Sequence, residues 1–70
     1  MTLFHIRYRD TQGTLMRLLN AVSRRAIAMP YLETAPDGAT QRLSLTLEVN
    51  AKQSGQLMRE WNATIDVLEV

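Results

Sequence analysis

The sequence contains no cysteine and a single histidine, His5. Without cysteine the chain can form neither a disulfide framework nor a thiolate metal site, and nothing points to an oxidising compartment. One histidine supplies no metal-ligand spacing and leaves the serines without a nearby general base for nucleophilic catalysis. We therefore predict no catalytic residue, no metal site and no cofactor in this chain.

Long apolar runs and an excess of one charge are also missing. No segment approaches the roughly eighteen consecutive apolar residues of a membrane span, so we expect a cytoplasmic protein with no membrane partner. The net charge is +1, both signs are spread along the chain, and Arg24-Arg25 is the only basic pair. This composition argues against a nucleic-acid partner.

The short length favours one small domain that gains from association. Seventy residues form a single domain, residues 1–70, which buries only about 60% of the surface that its unfolded chain exposes. Neither a disulfide nor a metal strengthens this core. We therefore expect a homodimer when no other partner is bound.

Apolar periodicity predicts six elements in the order βαββαβ. Strands are indicated by alternation of apolar and polar residues, and helices by apolar residues three and four positions apart. Pro36-Asp37-Gly38 suits a type I turn with a glycine bulge, and Trp61 is expected in the core. The predicted strands are 3–9, 31–35, 42–49 and 65–70, and the predicted helices are 14–26 and 51–62.

This order predicts an α+β fold, a ferredoxin-like sandwich in which two helices cover one face of a four-stranded antiparallel sheet. RNA-recognition modules share the topology, but they stack bases on aromatic side chains of the central strands. The outward positions of the third strand carry no aromatic ring; they are Arg42, Ser44, Thr46 and Glu48. A nucleic-acid-binding module is therefore a weaker alternative.

The loop Asp10-Thr11-Gln12-Gly13-Thr14-Leu15 joins the first strand to the first helix and is the candidate ligand site. Backbone N–H groups at a helix start are unpaired and lie at the positive end of the helix dipole, which favours a carboxylate or a phosphate. The structural alternative is that Gly13 only permits a tight turn and that Asp10 or Thr11 caps the helix.

Three segments together resemble ACT domains, specifically the small regulatory subunit of acetolactate synthase. They are the loop at 10–15, the helix end at 23–29 and the closing segment 65–70, which is similar to the family pattern V-D-V-L-x-V. The resemblance covers the whole chain. It implies a non-catalytic subunit that binds and activates a thiamine-diphosphate-dependent large subunit in branched-chain amino acid biosynthesis, and that in some isozymes conveys inhibition by valine.

The chain departs from the valine-responsive pattern at three positions. The pattern has asparagine where Asp10 stands, and glycine and asparagine where Ala26 and Ala28 stand. Ionised Asp10 only accepts hydrogen bonds and repels a ligand carboxylate, and Ala28 offers no side-chain hydrogen bond. The resemblance is thus to the short single-domain subunit of the valine-resistant isozyme, with at most weak binding of a branched-chain amino acid. The candidate ligand residues are Asp10, Thr11, Gln12, Gly13, Thr14, Leu15 and Ala28.

A second interpretation keeps the ACT fold and changes the role. In it the chain is a free-standing ACT domain that senses an amino acid for another enzyme or a transporter, with the Gly13 loop at a dimer interface. Binding of single amino acids would favour this sensor, whereas binding to a large subunit would favour the regulatory subunit.

Overall fold

The computed structural model describes all residues, 1–70, and contains four strands and two helices in the order βαββαβ. The strands form one antiparallel sheet in the order β2-β3-β1-β4, so β2 and β4 are its edges. The predicted α+β, ferredoxin-like fold is confirmed. The elements are β1 (Thr2–Tyr8), α1 (Thr14–Ser23), β2 (Tyr31–Asp37), β3 (Thr40–Leu47), α2 (Ala51–Asn62) and β4 (Val67–Glu69).

One core lies between the helices and the inner face of the two central strands. Trp61, predicted in the core, is fully buried; its indole N–H donates to the carbonyl of Leu18 at 3.1 Å, and its ring packs edge-on against Phe4 at 5.3 Å. Met58, which the apolar spacing along α2 groups with Leu57 and Trp61, is 40% exposed. The core residues are Phe4, Ile6, Tyr8, Leu18, Ala21, Val22, Leu43, Leu45, Leu47, Leu57 and Trp61.

Helix α1 ends at Ser23, three residues earlier than the apolar spacing predicts. Ala26 has a φ of 52°, in the left-handed region. The N–H of Ala26 donates to the carbonyl of Ser23 at 3.1 Å, and that of Ile27 to the carbonyl of Val22 at 3.5 Å. These bonds form a Schellman motif, which stops the helix and turns the chain toward β2. The prediction was wrong here because alanine is a good helix former and gives no stop signal.

The hairpin between β2 and β3 is tighter than predicted. Pro36 and Asp37 belong to β2, and Asp37 pairs with Thr40 across a loop of Gly38 and Ala39. Positive φ is confined to Gly38, at 64°, which is the φ pattern of a type II′ turn. Strand β2 accommodates Pro36 because it is an edge strand, where one row of N–H groups has no partner strand.

Strand β4 begins at Val67 rather than at residue 65. Asp66 precedes it with a φ of 71°, and the pairing of β4 with β1 shifts register between Arg7 and Tyr8. Helix α2 has its predicted bounds because Asn50 and Gln53 form a capping box at its start. Neither helix is long and apolar enough to cross a membrane.

Candidate functional site

The candidate loop places Gly13 at the start of α1 in a left-handed conformation, with a φ of 82°. No side chain caps this helix, so the expectation that Asp10 or Thr11 does so is wrong. The backbone carbonyl of Thr11 instead accepts from the N–H of Thr14 at 3.3 Å. Glycine is suited to this position because residues with a Cβ rarely adopt positive φ.

A directional chain of hydrogen bonds holds the loop in place. Ionised Asp66 can only accept, so the Thr11 hydroxyl donates to its Oδ2 at 2.7 Å. Since Thr11 has only one proton to donate, the buried hydroxyl of Thr14 donates to Thr11 at 2.6 Å, and Arg17 then donates to Thr14 at 3.4 Å. The backbone carbonyl of Asp66 also accepts a hydrogen bond from the backbone N–H of Arg9 at 2.8 Å. The two threonine hydroxyls are therefore engaged within the loop rather than offered to a ligand.

The donors that remain are backbone N–H groups at the start of the helix. Those of Gln12, Gly13, Leu15 and Met16 have no hydrogen-bond partner within the chain. The guanidinium of Arg17 folds back over the loop, and its Nη1 would lie 3.9 Å from a Cβ on Gly13. Four unpaired N–H groups beside a positive charge suit a small anion.

Asp10 opposes that preference. Burial raises the pKa of the Tyr8 hydroxyl, and the nearby Asp10 carboxylate raises it further. Asp10 itself is exposed, so it adds a solvated negative charge at the rim of the loop. An anionic ligand would therefore meet attraction from Arg17 and repulsion from Asp10.

Ala28 lies at the opposite end of the sheet from the loop. Its carbonyl accepts the N–H of Glu48 at 3.1 Å, just beyond the pairing of Thr2 with Leu47. The loop follows Tyr8, at the other end of β1, which places it roughly 20 Å from Ala28 at about 3.3 Å per strand residue. The structure thus brings together the candidate residues at 10–15 and leaves Ala28 apart from them within one chain.

Sequence reasoning missed Asp66 and Arg17 as residues that support the loop. The apolar alternation after residue 64 assigned Asp66 to a strand, whereas it occupies a left-handed position that aspartate tolerates better than most residues. Arg17 has no local signal that connects it to the loop, because its spacing indicates only the polar side of α1. No local signal connects Thr11 to Asp66, which is 55 positions away in the sequence.

A second polar cluster lies on the uncovered face of the sheet. Arg7 and Arg42 are direct cross-strand neighbours, and each pairs with a carboxylate of an edge strand, Glu69 or Asp37, at 3.3 Å. His5 is hydrogen-bonded to Ser44 at 2.9 Å. These ion pairs are exposed, and such pairs are worth only about 0–1 kcal/mol each. No group of three or more His, Cys, Asp or Glu side chains is placed to hold a metal ion.

Comparison with solved structures identifies the fold as that of ACT domains. The small subunit of acetolactate synthase from Thermotoga maritima matches with a TM-score of 0.79 at 14% identity, over 96% of this chain and 43% of that chain. A formyltetrahydrofolate deformylase from Burkholderia mallei matches with a TM-score of 0.71 at 13% identity, over 87% of this chain and 22% of that chain. No protein-family model and no curated protein matches the sequence.

The chain therefore has a ferredoxin-like fold of the ACT type, and it spans less than half the length of either structure. Identities this low extend the likeness to the fold alone, because one fold serves many functions.

Proposed function

We propose that this chain is the non-catalytic regulatory subunit of an acetolactate synthase, which binds the catalytic large subunit and raises its activity. The observation that carries the proposal is the match over 96% of the chain to a small subunit of this enzyme. The three segments that resemble the family support it. The same fold in a formyltetrahydrofolate deformylase shows why the fold by itself does not suffice.

Each of the three segments has a definite structural role in this chain. The first forms the start of α1, where four backbone N–H groups are unpaired. The second contains Ala26, at the left-handed position where the family pattern has glycine. The third contains Asp66, which anchors the loop through Thr11. Because each segment has such a role, we attribute its resemblance to the family to a shared local structure rather than to chance similarity of sequence.

In the absence of the large subunit we propose a homodimer formed through the open edge of β2. This strand pairs only with β3, and Leu32 is 40% exposed although its cross-strand partner Leu45 is buried. Met29, just before the strand, is 38% exposed. An open edge beside exposed apolar side chains is a natural site for strand pairing.

The test is complex formation with the acetolactate synthase large subunit of the same genome. Tagged chain should retain the large subunit on an affinity resin, and the chain alone should sediment as a dimer at micromolar concentration. Heat-denatured tagged chain serves as the control and should retain no large subunit. If no large subunit of that genome is retained, the regulatory-subunit proposal fails.

The sensor remains the second candidate, and the unpaired N–H groups of Gln12, Gly13, Leu15 and Met16 favour it. A free-standing ACT domain would bind an amino acid carboxylate at these groups. A thermal shift with one amino acid and none with the others, together with failure to bind a large subunit, would establish the sensor in place of the regulatory subunit.

A further inference from the structure

Both signs of charge are spread along the sequence, but the fold segregates them between its two layers. We define the helix layer as α1, α2 and the turn 24–26 that follows α1. Five of the eight basic side chains lie on it, and they are Arg17, Arg24, Arg25, Lys52 and Arg59. The layer has one acidic side chain, Glu60, whereas the other six lie on strands and loops. A net charge of +1 thus conceals a strongly positive face.

The positive side chains form stripes along both helices. Arg17 and Arg24 are seven residues apart, as are Lys52 and Arg59, so each pair lies on one side of its helix two turns apart. Lys52, Arg59 and Arg17 are exposed, and none of them takes part in an ion pair. Three cations on this layer are therefore without a negative partner in the chain.

Glu60 does not neutralise the layer because it is already paired twice. Its Oε1 accepts from Arg25 at 2.9 Å, and its Oε2 accepts from Arg24. These bonds tie the end of α1 to α2 beside a shallow groove lined by five polar or charged residues: Arg17, Asn20, Arg24, Glu60 and Thr64. The positive charges of the helix layer therefore favour an acidic partner.

We propose that the helix layer binds an acidic surface of the catalytic large subunit. This inference rests on the proposed function, which names that subunit as the partner. A second copy is a poor occupant, because two such layers repel each other. A nucleic acid fits less well, because the groove contains the Glu60 carboxylate and the layer exposes no aromatic ring for stacking. Carboxylates of a protein match the separate, unpaired cations.

Charge reversal of two unpaired cations tests the surface. We expect Lys52→Glu and Arg59→Glu each to weaken binding to the large subunit by about three- to tenfold at low salt, and less at high salt. Arg9→Glu is the matched control, because Arg9 is exposed and unpaired, lies outside the helix layer and changes the net charge equally. Equal binding by all three variants, or equal weakening, overturns the inference while the proposed function stands.

An NMR titration tests whether the helix layer binds carboxylates when the large subunit is absent. Poly-L-glutamate added to the ¹⁵N-labelled chain should shift the amide resonances of Arg17, Arg24, Lys52 and Arg59 and leave those of Arg7 and Arg42 in place. If the large subunit does not bind, the proposed function fails and this result alone decides the inference. Shifts confined to the sheet, no shifts, or tighter binding of an oligonucleotide of matched charge in the same salt each overturn it.

Discussion

Replacing Ala26 with glycine should stabilise this domain, although the same change inside a helix destabilises. Ala26 has a φ of 52° at the end of the Schellman motif, where the Cβ of an L-residue lies too close to the following carbonyl oxygen. Relieving a left-handed alanine gains about 1–2 kcal/mol, and the greater freedom of glycine in the unfolded chain costs about 0.5–1 kcal/mol. The difference of these two ranges is about 0–1.5 kcal/mol, and we expect Ala26→Gly to add about 0.75 kcal/mol of stability, its midpoint.

The assay is urea unfolding followed by the fluorescence of Trp61, the only tryptophan, at one fixed protein concentration because dimerisation makes stability depend on concentration. In thermal unfolding the gain corresponds to a rise of about 3–6 °C. Ala63→Gly is the control, because Ala63 ends α2 at an ordinary φ of −88° and should lose stability. If Ala26→Gly destabilises as much as Ala63→Gly does, the left-handed conformation of Ala26 carries no strain that glycine relieves.

Three further predictions address the helix contact, the loop and the ligand. Hydrogen bonding to Arg25, and then the charges of both arginines, hold the pKa of Glu60 below its ordinary 4.5. The ionised Glu60 carboxylate therefore stabilises the fold fully above pH 4.5, and this contribution is lost as the pH falls through the lowered pKa of the folded state. In Glu60→Gln, the free energy of unfolding should accordingly fall less steeply as the pH is lowered. Thr11→Val leaves the buried Thr14 hydroxyl and Asp66 without their partner and should cost about 1–3 kcal/mol in urea unfolding, whereas Thr11→Ser should cost little. Calorimetry should detect at most weak valine binding, because two missing charged hydrogen bonds cost about 3–6 kcal/mol, and Asp10→Asn with Ala28→Asn should recover some affinity; tight binding by the unaltered chain contradicts this reasoning.

The sequence predicted the elements that depend on local periodicity and missed the left-handed residues that set the bounds of two of them. Alternation along β3 and the run of helix formers along α2 indicate these two elements, because each pattern is set by near neighbours. The left-handed conformations of Ala26 and Asp66 could not be predicted, because neither residue is a glycine, the residue type that signals a positive φ. These two positions account for the errors at the end of α1 and the start of β4.

The candidate site was predicted in part for the same reason. The loop at 10–15 stands between a clear strand and a clear helix, so its place at a helix start was readable. Its anchoring by Asp66 and its distance from Ala28 depend on tertiary structure. The positive helix layer was also hidden, because acidic side chains that are close in sequence lie on strands and loops rather than on the helices.

The most direct test of the account is the activity of the large subunit as this chain is added. The catalytic acetolactate synthase subunit of the same genome is held at a fixed concentration, and acetolactate formation is measured over increasing amounts of the chain, with heat-denatured chain as the control. The account predicts no activity from the chain alone and a saturable rise in turnover of the large subunit. An unchanged turnover at every ratio, with a large subunit that is active by itself, would contradict the regulatory role.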